Sequence, residues 1–482
     1  MSGLPRSTPE QQGVSSAAVS RLVDALESGV PGLHSLMLLR HGHVIAEGWW
    51  RPYAAELPHS LFSISKSFTS TAVGFAVAEG LLSLDDSVVA LLSDHAPDTV
   101  SDNLAAMTVR HLLTMTTGHS VDSVDAVSDD DPDWTRILLA QPVPHTPGSQ
   151  FVYDSGASYL LSAIVQGLSG ERLLDYLTPR LLEPLGIEGA TWEQCPAGID
   201  AGGWGLSITT EHIAAFGLTY LQGGRLGDVQ VVPADWVAAA TAAQVETGDH
   251  RAGDDDTQGY GFQFWRCQHG AYRADGAFGQ LSIALPEHDA LLVLTGGHSD
   301  KQRALTLVWE HLLPVLGTHD TLPADAEEQT RLTKRLARLT TPMPVGDSHS
   351  ALAATVGGGR FVFPSNSGHL TSVTLDFAEH ADTLTLVDAF GEHRVGLGHA
   401  DWLGGSSAAI FGTTAAIAAA GTWTDPTSYL ATIRFAETPF AVSLSFDFRG
   451  DEVTLGLDQN VSFGNTRLLR SVGRTENSKI QE

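Results

Sequence analysis

The texture of this sequence changes near residue 340, and that change limits the architecture more than any single motif. Downstream, apolar residues recur at every second position in SVTLDF (372–377), TLTLV (383–387), ATIRF (431–435), SLSFDF (443–448) and VTLGL (453–457). A period of two gives each strand one apolar face, and turn residues separate the runs, so the segment predicts an antiparallel barrel or sandwich. Just upstream, DAEEQTRLTKRLARL (325–339) reads as a charged helix ending at Thr340-Thr341-Pro342. A chain of 482 residues exceeds one ordinary domain. The expected division is therefore a first domain over 1–318, a linker helix over 319–342 and an all-β domain over 343–482.

The first domain reads differently. Val19, Leu22, Val23 and Leu26 recur at helical spacing within 15–29. SLMLLRHGHVIAEGWW (35–50) is two apolar runs broken at His41-Gly42-His43, which predicts a hairpin. From Phe62 to Leu82 the apolar pattern predicts a largely buried helix, with Gly80 near its end. The stretch from about 84 to 250 is mostly helical pattern broken by loops. Strand-like runs follow at YGFQFW (260–265), AFGQLSIAL (277–285) and ALLVLTGG (290–297), then a helix through Leu305, Val308, Leu312 and Leu313. Helices and antiparallel strands segregated in this way make an α+β fold.

Formal charge is −29, with 27 basic against 56 acidic residues, and such a surface repels phosphate backbones. Nucleic acid is excluded as a partner on that ground. The acidic loop VDSVDAVSDDDPDW (121–134) lacks calcium-loop spacing, and its Asp129-Asp130-Asp131 run reads as a solvated face. Cys195 and Cys267 lack metal-ligand spacing and read as buried free thiols. No metal and no cofactor is expected. MSGLPRSTPEQQG has no secretory pattern, and no apolar run approaches bilayer length, so the expected location is the cytoplasm, without membrane contact.

Chemistry is suggested by Ser63-Ile64-Ser65-Lys66, an S-x-x-K at the head of the buried helix. Residues three apart share a helix face, so the Ser63 hydroxyl can meet the Lys66 amine. A lysine facing inward is desolvated, which lowers its pKa and lets it accept the serine proton. The chain has four lysines, and Lys301, Lys334 and Lys479 are preceded at that distance by His298, Arg331 and Glu476, so the motif occurs once. Tyr153, in Tyr153-Asp154-Ser155, lies on a loop before the helix-like SYLLSAIVQGL and can relay a proton if a nearby cation lowers its pKa. Asp275-Gly276-Ala277-Phe278-Gly279-Gln280 reads as the opening of a strand. Its glycines would admit substrate close to the backbone, and an N–H there would join that of Ser63 in an oxyanion hole. His119 and His298 are polar candidates for the pocket lining, and Tyr260 and Trp265 read as sheet-core aromatics.

In this order and spacing the motifs resemble the penicillin-recognising serine hydrolases, a family of class C β-lactamases, DD-peptidases, β-lactamase-like carboxylesterases and 6-aminohexanoate-dimer hydrolases. The resemblance spans about Leu4 to Leu316, and the wording around Ser63 and Gln280 is nearest to the 6-aminohexanoate-dimer-hydrolase-like branch. It implies a β-lactamase/transpeptidase-like antiparallel sheet flanked by helices, with an inserted helical region. It also implies Ser63 as acylated nucleophile, Lys66 as base, Tyr153 as the tyrosine of Y-x-N and Ala277 as an oxyanion donor. Ser155 replaces the usual Asn, and Ala274-Asp275-Gly276 replaces Lys-Thr-Gly. Substrate contacts are thus expected from Ser155, Asp275, Gly276, Gly279 and His119, with Asp275 repelling a substrate carboxylate. The C-terminal part resembles the lipocalin-like β-domains appended to some relatives.

The function expected is hydrolysis of a small ester, amide or peptide through a Ser63 acyl-enzyme. Two alternatives stand beside it. One is an acyl-transferring thioesterase or peptide cyclase of the same family, and the other is a non-catalytic binding module on this fold. The sequence leaves homo-oligomer formation open.

Overall fold

The structure, a computed structural model, describes residues 3–249, 253–317 and 321–476. Lys479 and positions 319 and 320 of the expected linker lie outside these. In chain order the elements that matter here begin with α1 (Ser16–Gly29), β1 (Leu33–Arg40), β2 (His43–Trp49), α2 (Ser65–Ala78), α3 (Ser155–Ser169) and α4 (Thr210–Leu221). Next come β3 (Trp265–Arg266), β4 (Tyr272–Gly276), β5 (Gln280–Leu285), β6 (Ala290–Gly296), α5 (Lys301–His311) and α6 (Ala326–Leu336).

Strands β2-β1-β6-β5-β4-β3 form a six-stranded sheet whose assigned pairings are all antiparallel. Its central strands are apolar without alternation because helices cover both faces. On β1, Leu36 and Leu38 join Leu292 and Leu294 of β6 against Val19, Leu22 and Leu26 of α1 and Leu305 and Val308 of α5. Met37 and Leu39, one position out of phase, pack with Phe68 and Val73 of α2, Leu161 of α3 and Phe216 of α4. The β1–β2 turn takes successive positive φ values at His41 (49°) and Gly42 (75°), which match the twist of a tight hairpin. The charged α6 turns Leu332 and Leu336 toward the α1 side of the sheet.

Three strand expectations change. YGFQFW is strand only at Trp265, since positive φ at Gly259 (102°) and Gln263 (64°) breaks the backbone. Tyr260, Phe262 and Phe264 are nevertheless buried in the α2–α4 core. AFGQLSIAL begins as a turn, with β5 starting only at Gln280. Asp275 and Gly276 therefore end a strand, β4, that the charges in Tyr272-Arg273-Ala274-Asp275-Gly276 disguise as loop.

The C-terminal strands are β7 (Arg360–Val362), β8 (Ser372–Asp376), β9 (Ala381–Asp388), β10 (Gly391–Gly398), β11 (Leu403–Ser407), β12 (Ala415–Asp425), β13 (Ser428–Phe435), β14 (Ala441–Arg449), β15 (Glu452–Gln459) and β16 (Arg467–Thr475). Their order is β10-β9-β8-β7-β16-β15-β14-β13-β12-β11, and a Gly398–Ala420 pairing of β10 with β12 closes nine of them into a barrel. Closure removes the exposed edges that an open sheet would present. Trp423, Tyr429, Phe446 and Phe448 fill its interior. β12 is rich in alanine. Small residues are needed there, since a Cβ at Gly421 would stand 2.1 Å from the Tyr429 hydroxyl.

Among the described residues no helix is long and apolar enough to cross a membrane. Both cysteines are buried and unpaired.

Candidate active site

Ser63 sits in a short 3-10 turn (Phe62–Ile64) that runs into α2, one turn ahead of Lys66. Phe62 enters this turn at φ 48°, a left-handed conformation that costs a residue with a Cβ about 1–2 kcal/mol. Lys66 is 1% exposed, and its Nζ donates to Ser63 Oγ (3.0 Å), Ser155 Oγ (3.1 Å) and the Gly203 carbonyl (2.8 Å). Burial pulls its pKa down to about 8, against the opposing pull of Asp122, Asp154 and Asp275. When Lys66 is neutral, its two N–H groups can satisfy Ser155 and Gly203, which leaves the lone pair facing Ser63.

The Tyr153 hydroxyl lies close enough to Ser63 for that side chain to pull its pKa down, and Lys66 Nζ lies 4.9 Å from its ring centre. The ring stacks on Trp265 at 5.6 Å and stands edge-on to Tyr260 at 6.3 Å, so both aromatics border the site. Contrary to the expectation of a cation-lowered pKa, burial holds the Tyr153 phenol well above its ordinary value. The phenol therefore keeps its proton at neutral pH.

Asp154, beside Tyr153, caps α3 and accepts from His119 Nδ1 (2.7 Å), Ser123 Oγ (2.7 Å) and the Ser123 N–H (3.0 Å). Burial alone would raise its pKa, but His119 and Ser123 hold it below the usual carboxylate range. His119 is thus committed to pinning the Tyr153–Ser155 loop from behind. Ser155 directs its hydroxyl at Lys66, and its N–H donates to Asp122 Oδ1 (2.8 Å).

The β4 end abuts the Phe62–Ile64 turn. A Cβ on Gly276 would lie 2.1 Å from the Leu61 carbonyl oxygen, so the close approach this glycine permits is to the chain itself. Ala277 follows directly, and Gln280 Nε2 clamps its carbonyl (3.0 Å) and that of Gly296 (2.9 Å). Gly279, at φ 95°, seats its Cα against the His298 imidazole, where a Cβ would come within 2.3 Å of Nε2. Burial lowers the His298 pKa to about 4, so it is neutral across the physiological range. Replacing Gly276 by alanine should cost about 1–3 kcal/mol of stability through backbone overpacking against Leu61. A melting curve that matches wild type would contradict this contact.

Asp275 presents no bare charge. Its carboxylate bonds to Arg273 Nε (2.7 Å) and Lys301 Nζ (3.1 Å), and those cations also pair with Asp256. Lys301 and Arg273 hold its pKa below the usual carboxylate range in spite of burial. The two cations and two carboxylates cancel, which removes the repulsion expected from the sequence.

Several of these groups leave little trace in the sequence. Gly203 contributes only a carbonyl, although the glycine-rich Ala201-Gly202-Gly203-Trp204-Gly205 hints at a close approach. Asp122 is concealed in the acidic loop that reads as solvated. Gln280 was visible only as part of the strand motif. Among the described residues, no group of three or more His, Cys, Asp or Glu side chains is placed to hold a metal ion.

Residues 17–313, more than half of the chain, match the family model described as Beta-lactamase. The chain belongs to the beta-lactamase family. A curated relative, Protein flp of Staphylococcus aureus (strain MW2), is 29% identical over 144 residues. That match spans 28% of this chain and 28% of the relative, well under two thirds of its length. Among solved structures, a putative 6-aminohexanoate-dimer hydrolase from Bacillus anthracis aligns with TM-score 0.52 and 17% identity, over 67% of this chain and 89% of that one. SurE aligns with TM-score 0.51 and 19% identity over 88% of this chain and 97% of its own. At these identities the likeness is one of fold.

Proposed function

We propose that this chain hydrolyses a small ester or amide through an acyl-enzyme on Ser63. One observation carries the reading: a fully buried lysine amine, lowered to about 8, lies 3.0 Å from the Ser63 hydroxyl. Lys66 takes the Ser63 proton as Oγ attacks the carbonyl carbon. The N–H groups of Ser63 and Ala277 receive the developing oxyanion, a role supported by the contact of β4 with the nucleophile turn. Tyr153 passes its proton to the departing alcohol or amine and is reprotonated from Lys66. Water then attacks the acyl-enzyme under the same groups, restoring Ser63. A carboxylate on the substrate finds the nearby cations, Arg273 and Lys301, already paired with Asp256 and Asp275, which favours substrates neutral around the scissile bond.

Intact-mass measurement after treatment with a fluorophosphonate tests the assignment. Wild type should gain one phosphonyl group, and Ser63→Ala should gain none. Labelling of neither protein, or equal labelling of both, would remove Ser63 from its role.

A further inference from the structure

The barrel reaches into the site. Its β13–β14 turn carries Phe440, and the loop between β15 and β16 carries Phe463. These segments dock on both sides of the nucleophile turn: the Glu437 carbonyl accepts from the Ser60 N–H (2.8 Å), and Asn460 Nδ2 donates to the carbonyls of Gly297 (2.9 Å) and Pro439 (2.9 Å). Docked in this way, the two barrel rings meet two from turns of the first domain. Phe62 lies 5.3 Å from Phe278, 6.0 Å from Phe440 and 6.0 Å from Phe463, while Phe278 lies 4.7 Å from Phe463.

Those two turn rings occupy defined positions. Phe62 immediately precedes Ser63 and Phe278 immediately follows Ala277, so they flank the two proposed oxyanion donors. Both hold left-handed backbones, at φ 48° and 66°, conformations that non-glycine residues retain only where their surroundings impose them. Simple packing between the barrel and these turns would bury all four rings. Phe463 remains 80% exposed although it touches Phe278, so its apolar face is available to something else.

Building on the Ser63 reading, we infer that Phe62, Phe278, Phe440 and Phe463 bind an apolar acyl group of the substrate, with the barrel supplying half of this subsite. The acyl side is selected by elimination. A leaving group must meet Tyr153, whose ring neighbours are Trp265 and Tyr260; among the described residues none of the four phenylalanines contacts it. The substrate class is then an ester or amide of an aryl-substituted or branched aliphatic carboxylic acid.

The test compares p-nitrophenyl phenylacetate with p-nitrophenyl acetate, which share a leaving group and differ only in the acyl part. Wild type should favour the phenylacetyl ester in kcat/KM, and Phe463→Ala should reduce that preference about tenfold, the scale of one well-packed apolar group. Phe463→Leu should retain part of it. A preference unchanged within about twofold in Phe463→Ala, with both esters turned over, overturns the subsite while leaving Ser63 in place. Failure of wild type to turn over either ester counts against the Ser63 reading itself and takes the subsite with it.

Discussion

Lys66→Ala is expected to lower kcat/KM on an activated ester by about 1,000-fold or more, and Lys66→Arg should be no better. The arginine arm separates two roles for the lysine. If Lys66 only supplied positive charge near the oxyanion, a guanidinium would replace it in part. If it is the base, it must shed a proton, and arginine stays charged at any accessible pH. The same argument fixes the pH dependence. Burial lowers the amine to about 8, so the competent neutral form grows as pH rises. In wild type, kcat/KM should climb about tenfold per unit below that value, reach half its maximum near it, and level off above. A profile flat between pH 6 and 9, or substantial activity in Lys66→Arg, would rule out the lysine as base.

The parts of this site that the sequence disclosed are those joined by local geometry. Ser63 and Lys66 are three residues apart on one helix face, and Tyr153 stands at the entrance of α3, on a loop before a helix-like run. Helix periodicity is a short-range effect, so it leaves short-range traces. The direction of the Tyr153 shift had no such trace. It depends on the aromatic enclosure built by Trp265 and Tyr260, more than a hundred residues downstream.

The same distinction separates the elements read correctly from those missed. The β1–β2 hairpin announces itself through two apolar runs and a His-Gly turn. In β4, Arg273 and Asp275 resemble surface residues until their mutual ion pair and Lys301 explain their burial. The Asp122 carboxylate and Gly203 carbonyl act through tertiary placement, which leaves no local pattern. The phenylalanines from the barrel are the extreme case. Phe440 and Phe463 lie on loops nearly four hundred residues beyond Ser63, and only the docking of Glu437 and Asn460 brings them to it.

Tyr153→Phe carries the second large effect, and it should depend on the leaving group. The substitution keeps the ring stacked on Trp265 and removes only the hydroxyl beside Ser63, so the fold should be unchanged. A buried phenol held above its ordinary pKa is poorly suited to take the serine proton and well suited to give one away. An alkoxide or amide anion cannot leave without that proton, whereas p-nitrophenolate can. Hydrolysis of an alkyl ester or an amide should therefore fall about 100- to 1,000-fold in Tyr153→Phe, with a much smaller loss on a p-nitrophenyl ester of the same acid. Equal losses on both would place Tyr153 in activation of Ser63 and reverse the order of proton transfer argued from the structure. The comparison reads the departure of the leaving group directly, because the acyl-enzyme formed from either substrate is the same.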